Sequence, residues 1–385
     1  MRGKIALVAV ILSASARASF YDFDATLDLN KGLPPVQAIL AGKFEQHSTE
    51  YYAHVIPEEK RRSTSRYVPG KPIDVANAIV LAPALARSGD LTGALEAVDP
   101  LRNLATDSPI ENSMRASILM ALGDLKTAVE ELKSFRQSTP SSPFGREEYE
   151  LKLAQYLLEA DADSTLVQRQ PTFVRGLLIN QSELAPNGAS TEPSSEIWLE
   201  KARDADPQQI QKAMTAIIAM IRFGDLGSAH LYAALGDLLR VQGDAPLAYR
   251  AYRRALEHAH PWPAALEREI ESIRQELGTD PRISDATIDA EQRSAQAWVR
   301  AYQAFEMRLL REDRLQGVSS VWEPFYAEHG NLREAPVTTW ARTTRWAARM
   351  WPALTIITMI LLVSTAMLIR WLRQRFGSAD INAAD

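Results

Sequence analysis

Cysteine is missing from the 385 residues of this chain. Its absence excludes disulfide staples, thiol catalysis, zinc–thiolate sites and covalently attached haem. Whatever folds here is held by its core alone. A basic surplus is missing too. The formal net charge of −5 argues against a nucleic-acid partner, which calls for clustered Lys and Arg. Strand-like alternation of Val, Ile or Thr is scarce, while Ala, Leu, Glu, Arg and Gln are abundant, so the body reads as all-α. No P-loop, Gly-x-Gly-x-x-Gly, His-Glu-x-x-His or Gly-x-Ser-x-Gly motif occurs. The reading is therefore no enzyme and no cofactor.

Histidine is sparse, with six in the chain. His258-x-His260 is the one close pair and reads as a polar helix terminus before Pro261, with a two-histidine metal site as the alternative. His47 and His54, with Glu50 or Glu58, could hold a metal if they shared a helix face. Glu58-Glu59 and Glu130-Glu131 stand beside basic residues and read as solvated helix faces rather than as acid–base pairs.

Apolar runs mark the two ends. Met350 to Ile369 carries no charge, and as a helix it covers about 30 Å, the thickness of a bilayer's hydrocarbon core. Arg345 and Arg349 precede it, Arg370, Arg373 and Arg375 follow, and Trp346, Trp351 and Trp371 stand at interfacial positions. At the other end, Met1-Arg2-Gly3-Lys4 is a basic head, Ile5 to Leu12 an apolar stretch, and Ala16-Arg17-Ala18 a small-x-small site. That is the layout of a secretory signal peptide, cleaved after Ala18 or, alternatively, after Ala16. The signal directs the body out of the cytoplasm, and the span stops it. The arginine balance around the span is neutral to mildly contrary, so the orientation rests on the signal peptide.

The body's clearest pattern is a recurrence. Gly89-Asp90-Leu91, Gly123-Asp124-Leu125, Gly224-Asp225-Leu226 and Gly243-Asp244-Ala245 each separate two helical stretches. A glycine can end one helix in the left-handed conformation, and the aspartate after it can cap the next. Gly89 and Gly123 are 34 residues apart. The fullest unit runs Tyr232-x2-Leu235-Gly236-x2-Leu239, Gly243-Asp244, Ala248-x3-Tyr252-x2-Ala255-Leu256 and closes at Pro261. Gly236 and Ala248 are small where paired helices cross, and the larger side chains fill the space around them.

This unit resembles the tetratricopeptide (TPR) repeat nearly position by position. Two looser units resemble it as well: Ala78, Leu81, Ala82, Leu85, Gly89, Ala94 and Val98, then Ala116, Leu119, Gly123, Ala128, Leu132 and Phe135 up to Pro140. Both depart from the pattern at the leading aromatic, where Ala78 and Asn112 stand. Gly42-Lys43-Phe44-Glu45-x-His47-x3-Tyr51-Tyr52 is similar to the start of some bacterial envelope TPR proteins. The resemblance implies a TPR-like helical-hairpin solenoid with a concave groove lined by the first helix of each pair. It places His230, Ala233, Asp237 and Arg240 on that groove in the fullest unit, and Ile110, Ser113, Ser117 and Met120 in the unit before Gly123.

The chain thus divides into a signal peptide (1–18), an N-terminal helical segment (19–74), two TPR-like repeats (75–140) and degenerate helical repeats (141–228) with a linker near 185–195. The fullest unit with a packing helix (229–277), a long helix (285–314), a juxtamembrane linker (315–349), the transmembrane helix (350–369) and a cytoplasmic tail (370–385) follow. The expected function is a scaffold or adaptor in the bacterial inner membrane, its body in the periplasm or outside, binding other envelope proteins or peptides. The rivals are a periplasmic metal-dependent hydrolase on the same scaffold and a glycan- or peptidoglycan-binding module using Trp198, Trp262 and Trp322.

Overall fold

A computed structural model describes residues 33–65, 75–99, 110–138, 145–163, 165–179, 195–224, 228–312 and 319–330. The expected signal peptide, most of the linker near 185–195, and the span at 350–369 lie outside these residues. All regular structure among the described residues is helical. Among them, no helix is long and apolar enough to cross a membrane.

The helices are α1 (Val36–Ala41), α2 (Thr49–Ser65), α3 (Val75–Arg87), α4 (Leu91–Val98), α5 (Ile110–Leu122), α6 (Leu125–Ser138) and α7 (Arg146–Ala162). Then come the short α8 (Leu166–Arg169) and α9 (Arg175–Leu178), α10 (Ser195–Ala202), α11 (Pro207–Phe223), α12 (Ala229–Val241), α13 (Ala245–Glu257), α14 (Pro263–Leu277), α15 (Asp285–Arg311) and α16 (Glu323–His329).

Three hairpins, α3/α4, α5/α6 and α12/α13, are closed by one turn used three times. Gly89, Gly123 and Gly243 have φ of 93°, 85° and 77°, the left-handed region that costs a Cβ-bearing residue energy. The following aspartates donate their N–H five residues back, to the carbonyls of Leu85, Leu119 and Leu239, each at 2.9 Å. The carboxylates of Asp90, Asp124 and Asp244 then accept from the N–H groups of Gly93, Thr127 and Leu247 at 2.8, 3.2 and 3.4 Å. Each turn therefore satisfies orphan carbonyls of the first helix and orphan amides of the second. Gly224 departs from this pattern. Its φ is −103°, and Asp225 lies outside the described residues.

The small residue seven before each turn glycine is buried: Ala82, Ala116 and Gly236. The residue nine after is buried as well: Val98, Leu132 and Tyr252. In the last hairpin the side chain lying on Gly236 is Tyr252, one turn beyond the expected Ala248, which is itself fully buried. Tyr232, Leu235, Leu239 and Ala255 complete this core. Leu81, Leu85, Ala94, Val98, Met114 and Ile118 form a smaller core under the first hairpin.

The segment before α2 is clamped by distant helices. Ser48 Oγ accepts the N–H of Tyr51 at 3.0 Å and caps α2. Glu45 pairs with Arg222 at 2.8 Å and accepts from Tyr326 at 3.1 Å. His47 stacks on Tyr51 and bonds the buried Glu306 of α15. On α15, Trp298, Tyr302 and Phe305 meet Trp322 and Phe325 in one aromatic cluster. This apolar stripe of α15 is therefore core.

Candidate functional site: the face of the last hairpin

Asp237 occupies an interior position. It is fully buried on α12, and four hydrogen bonds converge on its carboxylate. Arg175 of α9 donates from Nε and Nη2 at 2.9 Å each, Thr172 Oγ1 at 2.5 Å and Tyr252 at 2.7 Å. Arg175 Nη2 also reaches Glu269 of α14 at 2.5 Å, and its guanidinium lies over the ring of Trp198, 4.5 Å from the centroid. Burial alone would lower the Arg175 pKa, but the facing Asp237 and Glu269 raise it well above its usual value. Burial and the Asp237 charge push the Tyr252 phenol well up. One cation meets two carboxylates here, out of water, with hydroxyls filling the remaining acceptor sites.

Beside this network is a chamber of aromatic rings. His230 and His260 are both buried, with ring centroids 5.0 Å apart, and Trp262 and Tyr156 close the chamber. Among the described residues, neither nitrogen of His230 has a hydrogen-bond partner, nor does Nε2 of His260. Burial, reinforced by His260, holds the His230 pKa well below the usual histidine value, and burial brings His260 down to about 4. His260 Nδ1 accepts the N–H of Trp262 at 3.3 Å, which leaves the ring proton on Nε2. That nitrogen is then a donor and offers no lone pair to a metal. His258 is apart from this pair, stacked on Tyr232. Among the described residues no group of three or more His, Asp or Glu could hold a metal ion.

The other expected groove positions are also taken up inside the chain. Met120 is fully buried in the main core, which it shares with Tyr149, Leu153 and Leu157 of α7. Ser113 and Ser117 are buried and meet α7 through Glu147 at 3.2 Å and Glu150 at 2.5 Å. Burial raises the Glu150 pKa to about 7, against the opposing pull of Arg146 and Ser117. Arg240 pairs with Glu276 of α14 at 2.5 Å and keeps 8% side-chain exposure. Ala233 is fully buried.

The expected open groove of Met120, His230, Asp237 and Arg240 is thus covered by the chain itself: α7 covers the first part, and 172–175 with α14 the second. The cause is that α7 and 172–175 pack against these faces through buried polar contacts. The carboxylate reading needs correction as well. Glu131 is buried and paired with Arg115 at 2.6 Å, and Glu59 is buried, so neither is solvated. Trp198 is 2% exposed beneath Arg175, out of reach of a sugar.

Arg175, Thr172 and Glu269 were absent from the sequence-level site. Their one signal is a lone arginine inside the apolar stretch Phe173-Val174-Arg175-Gly176-Leu177-Leu178. A charge in such a run needs a buried counter-charge. Comparison with protein-family models, with curated proteins and with solved structures finds no match to this chain.

Proposed function

We propose that the chain is a TPR-type scaffold or adaptor of the bacterial cell envelope. A signal peptide exports it, and the span at 350–369 holds it in the inner membrane with its body outside the cytoplasm and 370–385 inside. It recruits other envelope proteins and performs no chemistry of its own. One observation carries the reading: the same turn, with the same left-handed glycine, helix-ending hydrogen bond and aspartate cap, closes three hairpins. Stacked hairpins of this kind serve as binding platforms. The membrane part rests on the apolar run and its flanking arginines and tryptophans.

Because the inner face is occupied by the chain's own residues, recognition falls to the outer faces. Leu122 is a large hydrophobic side chain left exposed. Contacts there run through charges and hydrogen bonds. The test is crosslinking in intact cells, pull-down of the full chain and mass spectrometry. Enrichment of exported and inner-membrane proteins supports the scaffold. A purely cytoplasmic set of partners overturns both its placement and its role.

A further inference from the structure

Three segments far apart in sequence meet around an open cleft of about 270 Å³. The N-terminal segment contributes Ala41, Gly42, Phe44 and Gln46. The last hairpin contributes Tyr232, Arg254 and His258. Gln292, Gln296, Val299 and Arg300 form one stripe of α15, at the spacing that places residues on one face of a helix. The space is that of roughly nine waters at ~30 Å³ each, enough for a ligand of about one amino-acid residue.

The chemistry of the lining is one-sided. Two guanidiniums, an imidazole and three carboxamides face the space, and no carboxylate lines it. Arg254 is held in position. Its guanidinium lies over the Tyr232 ring, 5.6 Å from the centroid. Its Nη2 lies so close to Gly42 that a Cβ there would stand 3.2 Å away. At the edge of the cleft the carboxylate of Glu257 receives Arg254 Nη1 at 2.7 Å and Gln292 Nε2 at 3.2 Å. The donors of the cleft therefore already converge on carboxylate oxygens at one point. Others remain unspent. Gln296 and Arg300 are exposed, with no hydrogen bond or ion pair to another described residue. Phe44, Tyr232, Val299 and Ala41 give an apolar surface beside these donors.

We propose that this cleft binds a small carboxylate whose charge meets Arg300 and Arg254 while a compact apolar group rests against Tyr232 and Val299. A planar guanidinium matches a carboxylate with two parallel hydrogen bonds. The same chemistry comes from a free organic acid or from the C-terminus of a polypeptide ending in a small apolar residue. The proposal is independent of the scaffold reading.

The full chain, purified in detergent, is titrated by calorimetry and ligand-observed NMR with benzoate, an acetylated tripeptide ending in valine, the C-terminal amide of that tripeptide, and inorganic phosphate. The same titrations are run on Arg300→Ala and Gln296→Ala, whose unpartnered side chains leave the melting temperature unchanged. The expected result is saturable binding of at least one carboxylate, weakened tenfold or more by Arg300→Ala, and at least tenfold weaker binding of the amide. Binding of benzoate assigns the site to free acids, and binding of the peptide acid without benzoate assigns it to chain ends. Failure of both acids to bind below about 10 mM, binding unchanged in Arg300→Ala, or equal binding of phosphate overturns the proposal.

Discussion

The ring of Tyr252 lies against the backbone of Gly236 so closely that a Cβ at Gly236 would stand 2.5 Å from its Cε1. The same two positions hold Ala82 and Val98 in the first hairpin and Ala116 and Leu132 in the second, all of them buried. The bulkiest of the second-helix residues, Tyr252, thus goes with the smallest of the first-helix residues, Gly236.

Gly236→Ala should therefore overpack the last hairpin and lower stability by about 1–3 kcal/mol. Combining it with Tyr252→Leu, which reproduces the Ala116 and Leu132 pairing, should cost less than the sum of the two single changes. Thermal melting of the four chains of this double-mutant cycle measures the coupling. Additive effects would show that the two residues do not share the space.

Arg175 holds two buried carboxylates. Arg175→Met leaves Asp237 and Glu269 without their cation and should cost about 3–5 kcal/mol. Adding Asp237→Leu and Glu269→Met removes the stranded charges and should recover most of that loss. Urea denaturation midpoints give the comparison. A loss that persists in the triple variant would assign the cost to packing of the Arg175 stem.

Stability should fall on the acid side through the histidine chamber. His260 titrates near 6.5 when unfolded and at about 4 when folded, and His230 is shifted in the same direction. Between these values the unfolded chain binds more protons, so stability drops as pH falls from 6.5 towards 4, by up to about 1.4 kcal/mol per pH unit for each histidine. His230→Leu should flatten that slope. Glu150 acts in the opposite sense. Its folded pKa of about 7 makes it a buried neutral acid whose contribution is full below pH 4.5 and is lost as pH rises through 7. Glu150→Gln should remove the loss on that side. Denaturation series from pH 4 to 8 on the three proteins test both signs.

The proposed topology predicts that the mature chain begins near Ser19 and resists carbonate extraction. Protease added outside the inner membrane should digest the body and leave a small C-terminal stub. A body protected in intact spheroplasts would place it on the cytoplasmic side.

The hairpins were legible because their turns depend on local chemistry. A glycine that must adopt positive φ and an aspartate that must cap have few substitutes, and both stand in the sequence where the structure needs them. The long helix from Asp285 was legible from the apolar spacing of Trp298, Tyr302, Phe305 and Leu309. The covering of the inner face was not. It depends on 172–175 returning to a helix more than sixty residues later, and pairing at that distance leaves no periodic trace. Glu147 and Glu150 were equally hidden, because Arg146-Glu147-Glu148-Tyr149-Glu150 has the composition of a wet helix start. Only the neighbouring serines of α5 and the ion pair with Arg146 make burial tolerable there.

The clamped N-terminal segment has a consequence for the order in which the molecule assembles. The last hairpin closes through contacts such as Tyr252 to Asp237, separated by 15 residues. Glu45 finds Arg222 across 177 residues, and His47 finds Glu306 across 259. Closing such long loops costs entropy that only a nearly complete partner surface returns. The segment of Glu45 and His47 must wait for α11 and α15 before it can dock. The hairpins condense as local units, and the long-range clasp closes after them.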